Sequence, residues 1–176
     1  MLTKLKSIIN RFSENQKRYR EFDWMESLEG NVSSCSNFEE ICHQEKCKPI
    51  YHVTDMDAAR SIIFNKYIFG IDTVSAAHFH HSPVAAFDQA RKSDCVLGFS
   101  WSGEIRDTAS NERYFSHADQ SPNVLFEAHQ TAASSEIWEY RIYPKTDSFL
   151  CLRYIQIGAK CTILASPINM VVKSMY

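Results

Sequence analysis

Ile50-Tyr51-His52-Val53-Thr54-Asp55-Met56-Asp57-Ala58-Ala59-Arg60-Ser61-Ile62-Ile63-Phe64-Asn65 changes its period at the centre, and that change sets the fold class. Ile50 to Thr54 is β-branched and aromatic, the composition of a strand. From Asp55 to Asn65 the apolar positions Met56, Ala59, Ile62 and Ile63 fall on one helical face. Either Thr54 or Asp55 can cap that helix. On the strand, side chains alternate, so His52 and Thr54 share one side. Together they offer hydrogen-bonding groups that suit a ribose hydroxyl or a carboxamide. The same histidine could equally serve only to bond a neighbouring strand.

Toward the C-terminus, Tyr67 to Ile71 reads as a short strand around Gly70. Ser82-Pro83 opens a second helix, with serine as N-cap and proline in the first turn, running to about Arg91. The chain then turns β-rich. Expected strands are Cys95–Trp101, Asn123–Glu127, Ile137–Tyr143, Phe149–Ile157 and Cys161–Ala165, with a last one near Asn169–Lys173. Ser102 to Pro122 is polar and long for a loop. Helices early and strands late indicate α+β rather than alternating βαβ units.

Toward the N-terminus, residues 31–49 are polar and turn-rich. Their Cys35, Cys42, His43 and Cys47 do not follow a standard zinc spacing, while Phe38, Ile41 and Cys42 fit one side of a short helix. Residues 1–30 read as a helix, with Leu2, Leu5, Ile8, Ile9, Phe12, Tyr19 and Phe22 near the helical period. That helix is basic, carrying Lys4, Lys6, Arg11, Lys17, Arg18 and Arg20 against Glu14 and Glu21. It can pack its apolar face on the domain, or it can dock an anionic partner such as nucleic acid or membrane lipid. The expected organisation is an N-terminal helical extension over 1–48 and one folded domain over 49–176.

The 176 residues suit one domain, and 44% hydrophobic composition is enough for an ordinary core. A net charge of −2 argues against a protein that coats nucleic acid. No window reaches the roughly 20 apolar residues of a membrane span, and Met1 to Phe12 has no secretory apolar core. Cys95, Cys151 and Cys161 sit in apolar runs, as free thiols do. These features point to a reducing compartment, the cytoplasm of the producing cell or of a host cell.

Two further stretches can carry chemistry. In Ala76-Ala77-His78-Phe79-His80-His81-Ser82-Pro83, His78 and His80 share one face of an extended segment that leads into a helix N-terminus. Free N–H groups there favour an anionic ligand; a zinc site and a plain surface histidine cluster are the rival readings. In Ser134-Ser135-Glu136-Ile137-Trp138-Glu139-Tyr140-Arg141-Ile142-Tyr143, two carboxylates lead into a β-forming run. Glu136 and Glu139 are three apart and so point to opposite faces of a regular strand. One of them faces a cleft, and the other pairs with Arg141 or solvent.

The order of these stretches resembles the ADP-ribosyltransferase superfamily, in the branch shared by poly(ADP-ribose) polymerases and diphtheria-type toxins. That branch has a His-Gly-Thr-like strand followed by a helix, here His52-Val53-Thr54 and Ala58 to Asn65. A Tyr-Phe-Ala-Asp-like segment before an alanine-rich helix corresponds to His78-Phe79-His80-His81-Ser82-Pro83-Val84-Ala85-Ala86. A Glu-Tyr-x-(Ile/Val)-Tyr strand corresponds to Glu139-Tyr140-Arg141-Ile142-Tyr143, with Leu152-Arg153-Tyr154-Ile155 as the next strand. The likeness spans about Pro49 to Ile157. Val53 stands where the family has glycine, and His78 where it has tyrosine.

The resemblance implies split antiparallel sheets around an NAD cleft, NAD as substrate, and transfer of ADP-ribose to a protein or nucleic-acid acceptor, as toxins and effectors do. It implies Glu139 or Glu136 as the catalytic carboxylate. It further implies NAD contacts from Tyr51, His52, Thr54, Gly70, His78 and Phe79, with His52 and Thr54 on the adenosine ribose and His78 stacked on nicotinamide. No metal is implied. The alternative is a non-catalytic module of the same fold that docks through its basic N-terminal helix. A second likeness, to uncharacterised bacterial proteins, rests on Trp138-Glu139-Tyr140-Arg141 and on Cys95 to Ser100, and implies no activity.

Overall fold

Asp55 is where strand becomes helix. In the computed structural model its backbone is extended (φ −75°, ψ 168°), and its carboxylate accepts a 2.8 Å hydrogen bond from the Ala58 N–H, capping the helix. The structure describes residues 30–32, 35–70, 76–83, 95–107, 121–129, 137–144, 149–158 and 160–175. The expected helices over 1–30 and from Ser82 to Arg91 lie outside the described residues for almost all their length, as does Glu136.

The elements in chain order are β1 (Gly30–Val32), α1 (Cys35–Gln44), β2 (Lys48–Thr54), α2 (Met56–Asn65), β3 (Tyr67–Gly70), β4 (Ala77–Phe79), β5 (Cys95–Trp101), β6 (Glu104–Asp107), β7 (Val124–His129), β8 (Ile137–Ile142), β9 (Leu150–Ile157) and β10 (Lys160–Ser174). This is a mixed α+β chain dominated by strands, and the strands form two separate sheets. The larger has the order β1-β10-β9-β5-β2, with β3 added alongside the far end of β10; the smaller runs β4-β8-β7-β6. Pairing is antiparallel except for β3 with β10 and β6 with β7, which are parallel. None of the helices among the described residues is long and apolar enough to cross a membrane.

β5 lies between β9 and β2 in the larger sheet, and its seven residues are all buried. Cys95, Leu97, Phe99 and Trp101 face the main core, where they meet Ala77 and Phe79 of β4, Leu125 of β7 and Tyr140 and Ile142 of β8. The rings of Phe99 and Phe79 meet edge-on at 5.6 Å, so the two sheets pack face to face through aromatic contacts. On the opposite face of β5, Val96 joins a second core of Phe38 and Cys42 from α1 with Tyr51 and Tyr154. Phe38 stacks on Tyr154 at 5.4 Å. Arg153 fastens the C-terminal end of α1, pairing with Glu45 at 2.6 Å while its Nε donates to the Ser100 hydroxyl at 2.9 Å.

Two irregularities shape the larger sheet. Along β5, Gly98 pairs with Tyr154 and Phe99 with Leu152, so Arg153 is an extra residue on β9. The bulge flips the side-chain phase: Leu150 and Leu152 face the main core before it, Tyr154 joins the second core, and Ile155 returns to the first. Along β10 the pairing with β9 jumps from Ile163 to Ile168, around Ala165-Ser166-Pro167. The two expected strands, Cys161–Ala165 and Asn169–Lys173, are therefore one interrupted strand. Its break sits where proline has no N–H to give to the ladder.

Candidate functional site

The two sheets are linked at one corner. Tyr51 of β2 exchanges both backbone hydrogen bonds with His80, just past β4, at 2.9 and 2.7 Å. That bridge lays β4 beside β2 and brings His52 and His78 together. The Nδ1–H of His52 donates to the carbonyl of His78 at 3.0 Å.

β4 in turn pairs with β8, with His78 opposite Arg141 and Phe79 opposite Tyr140. Phe79 and Tyr140 point into the main core. The alternate residues His78, Glu139 and Arg141 therefore share the other face. Glu139 is only 8% exposed, and both its oxygens are occupied. Its Oε2 lies 3.0 Å from His78 Nδ1, and its Oε1 accepts from Arg141 Nε and Nη2, each at 2.6 Å.

Burial alone would push the Glu139 carboxyl upward. The hydrogen bond and charge of His78, together with Arg141, outweigh that cost and hold it below its ordinary value of 4.5. An ionised carboxylate only accepts, so His78 Nδ1 carries the proton in this pair. Burial lowers the pKa of His52, against the opposing bond to the His78 carbonyl, and that ring is neutral at neutral pH. With its Nδ1 donating, its Nε2 is a hydrogen-bond acceptor.

Beside this line lies a cavity of about 340 Å³, lined by His52, Val53 and Thr54 of β2, Ala58, Ser61 and Ile62 of α2, Tyr67, Ile68 and Phe69 of β3, and His78. That is near the lower end of the roughly 300–1,000 Å³ typical of small-molecule sites. Its walls are mostly apolar, with imidazoles and hydroxyls at a few points, the composition of a pocket for a flat heterocycle or a sugar.

Of the residues expected from sequence, His52, Thr54 and His78 meet at the cavity, and Glu139 lies directly behind His78. Tyr51 is elsewhere. Strand alternation turns its side chain to the second core, where its hydroxyl donates to Glu39 at 2.8 Å and lies 3.2 Å from Cys35 Sγ. Phe79 is fully buried, with its ring 5.8 Å from that of His52, so it supports the site from beneath. Gly70 is buried at the end of β3, opposite Ser174, and is not part of the lining.

Sequence reading did not single out Ser61, Tyr67 or Phe69. The apolar helix face expected from the periodicity was Met56, Ala59, Ile62 and Ile63; of these only Ile62 lines the cavity, while Ala58 and Ser61 come from the adjoining face. The cysteine-rich stretch forms α1, and among the described residues no group of three or more His, Cys, Asp or Glu is placed to hold a metal ion. No family model matches this chain, and neither does any curated protein or solved structure.

Two predictions arise here. His52 and His80 both have pKa values lowered from 6.5, chiefly by burial. Below 6.5 the unfolded chain gains protons that the folded chain does not, so stability falls as pH drops, until each folded pKa is passed. Glu139 contributes stability that is full above 4.5 and is lost as pH falls further through its folded pKa. Urea midpoints measured from about pH 8 down to about pH 2.5 will show a two-stage loss toward acid, the first below 6.5 and the second below 4.5. The double variant His52→Gln, His80→Leu will lack the first stage.

Second, His80 Nδ1 is buried and makes no hydrogen bond in the structure. Replacing an unsatisfied buried polar group by an apolar one of similar size removes its desolvation cost. His80→Leu keeps the backbone bridge to Tyr51. It will be neutral or will stabilise by about 1 kcal/mol in denaturant unfolding.

Proposed function

We propose that this chain is an NAD-dependent ADP-ribosyltransferase, with split sheets of the ADP-ribosyltransferase kind and the NAD cleft at their linked corner. The observation that carries this reading is the hydrogen-bonded line His52–His78–Glu139 beside the 340 Å³ cavity. It brings together, from three separate strands, two of the positions that the sequence resemblance assigns to NAD contact and one that it assigns to the catalytic carboxylate.

Breaking the bond between nicotinamide and ribose leaves a ribose with oxocarbenium character. Nicotinamide, a flat amide-bearing ring, fits between the apolar wall of α2 and β3 and the His78 ring. The acceptor Nε2 of His52 and the Thr54 hydroxyl take ribose hydroxyls. The Glu139 carboxylate, held ionised and largely shielded from water, stabilises the positive charge that develops at the ribose, where low solvent exposure strengthens the effect. The acceptor is a protein or a nucleic acid.

The test is incubation of labelled NAD with cell lysate and mass spectrometry of the products. The expected result is transfer of label to macromolecules by the wild type and its loss in the double variant Glu136→Gln, Glu139→Gln. Unchanged transfer by that variant would refute the role of the carboxylates.

One observation favours a second reading, a module that binds NAD without turning it over: both Glu139 oxygens are already engaged by protein groups. For such a module NAD raises the melting temperature while no label is transferred.

A further inference from the structure

We propose that the corner where α2 turns into β3 and meets β10 is a docking surface for single-stranded nucleic acid, and that the acceptor is a base held there. A base as acceptor deepens the transferase reading and rests on it; binding of the strand does not.

Local rules build this surface. α2 ends at Lys66, whose left-handed backbone (φ 60°) turns the chain directly into β3. The Lys66 carbonyl accepts from the Val171 N–H at 3.2 Å, which starts β3 against β10. Side chains on β3 alternate, so Ile68 is buried while Tyr67 and Phe69 share the face that lines the cavity. β10 runs parallel beside them, with Val171 level with Tyr67 and Lys173 level with Phe69. Lys173 therefore stands on that same face, and its Nζ lies 4.2 Å from the centre of the Tyr67 ring. Phe64 follows Ser61 of the lining by one helical turn.

Exposed rings and positive charge coincide there. Among the described residues, the exposed large apolar side chains are Phe64, Phe69, Ile105, Phe149 and Met175. Three of the five come from this corner, since Met175 directly follows the pairing of Ser174 with Gly70, so the exposed apolar surface is concentrated beside the cavity. Phe64 is 85% exposed and Phe69 42%. Lys66 and Lys173 are exposed too, and neither β3 nor β10 contains a carboxylate. On α2 the nearer acid is Asp57, about 13 Å from Lys66 along the helix axis.

Flat apolar rings beside ammonium groups match a chain of flat bases joined by phosphates. Bases stack on the rings, and phosphates meet the lysines. An acidic peptide would satisfy the lysines and leave the rings bare. Because Tyr67 and Phe69 belong to both the cavity wall and this surface, a base stacked here adjoins the bound donor. In the transfer, the bond from the ribose C1′ to the nicotinamide nitrogen breaks, and its electron pair neutralises the pyridinium. A base nitrogen bonds to C1′ through its lone pair and gives up its own hydrogen to water as a proton.

The experiment is fluorescence anisotropy of the full chain with a labelled single strand of about 12 nucleotides, at several salt concentrations and without NAD. Phe64→Ala and Lys173→Gln are compared with the wild type. Neither residue lines the cavity, so nicotinamide release into water stays at the wild-type rate in both. Both side chains are exposed, and the variants melt with the wild type. The expected result is binding about 10-fold weaker for Phe64→Ala, and at least about 10-fold weaker for an abasic strand of equal length. Lys173→Gln reduces the slope of log affinity against log salt by about 0.7. With NAD present, label enters the oligonucleotide. Equal binding of the abasic strand, or of an oligoglutamate of equal charge, would overturn the proposal. Unchanged affinity in Phe64→Ala together with an unchanged salt slope in Lys173→Gln would overturn it as well. Strand binding that meets these expectations without any nicotinamide release would uphold the surface and refute the transferase reading. Nicotinamide release with label on protein and none on the oligonucleotide would do the reverse.

Discussion

Glu139→Ala will lower stability by about 3 kcal/mol or more and will abolish any NAD turnover. The Glu139 carboxylate is one half of a largely buried ion pair, with side-chain exposures of 11% for Glu139 and 16% for Arg141. Truncating one partner leaves the other charge buried without compensation, which typically costs about 3–5 kcal/mol. His78 loses its anchor in the same step. Glu139→Gln separates the two effects. It keeps the size and one acceptor oxygen, so its unfolding midpoint will fall less than that of the alanine variant. Its nicotinamide release will still drop by about 100–1,000-fold, the usual loss when one electrostatic stabiliser is removed. Denaturant unfolding and nicotinamide release, measured on both variants, provide the comparison. Equal midpoints for the alanine variant and the wild type would mean that the Arg141 pair contributes nothing to the fold.

The second large effect falls far from the site. Gly98→Ala will destabilise the chain by about 2–3 kcal/mol, in the upper part of the overpacking range. A Cβ at Gly98 would stand 2.8 Å from both Cβ and Cδ1 of Tyr154 and 3.0 Å from Phe38 Cε1. Tyr154 Cβ is attached to the β9 backbone and cannot swing aside. The Tyr154 ring is clamped as well: Phe38 stacks on it, and its hydroxyl contacts Gln156 and Cys161. Relief therefore requires β5 and β9 to part, or α1 to lift from the sheet. The urea midpoint will fall with little change in slope if the fold persists. A ΔΔG below about 0.5 kcal/mol, the range of ordinary surface substitutions, would show that α1 is not held as tightly as these contacts require.

What the sequence revealed and what it hid divide along physical lines. The switch from period 2 to period 3.6 at Asp55 was legible because a capping residue marks it, and β2 and α2 meet there. The seven apolar residues from Cys95 to Trp101 were legible as a strand because both faces of β5 are buried. β6 was hidden within a polar stretch. Glu104, Ile105 and Asp107 are exposed, so an edge strand there shows no apolar alternation. The Arg153 bulge was equally invisible. Leu150, Leu152 and Tyr154 alternate perfectly in sequence, yet the extra residue sends Tyr154 to the other core.

The site follows the same pattern. His52 and Thr54 share a strand face, a fact of local geometry that sequence carries. The same rule sends Tyr51 to the opposite face, so its grouping with the cofactor residues ran against information already present. The meeting of His78 with His52 depends on the Tyr51–His80 bridge, a non-local contact that no spacing encodes. The likeness to a known family supplied the order of the three segments. The structure puts the Arg141 partner on Glu139 itself, the carboxylate bonded to His78, and adds Ser61, Tyr67 and Phe69 to the cavity wall.

The central claim is that the cavity beside His52 and His78 takes NAD, and calorimetric titration of NAD tests it most directly. Ala58 lines that cavity from α2, and its substitution by Phe would fill the space while leaving the Asp55 cap intact. The expected result is saturable binding to the wild type with a Kd below about 1 mM, equivalent to at least about 4 kcal/mol. Ala58→Phe, with an unchanged melting temperature, gives no heat. Absence of binding to the wild type at millimolar NAD, or equal binding to Ala58→Phe, would contradict the claim.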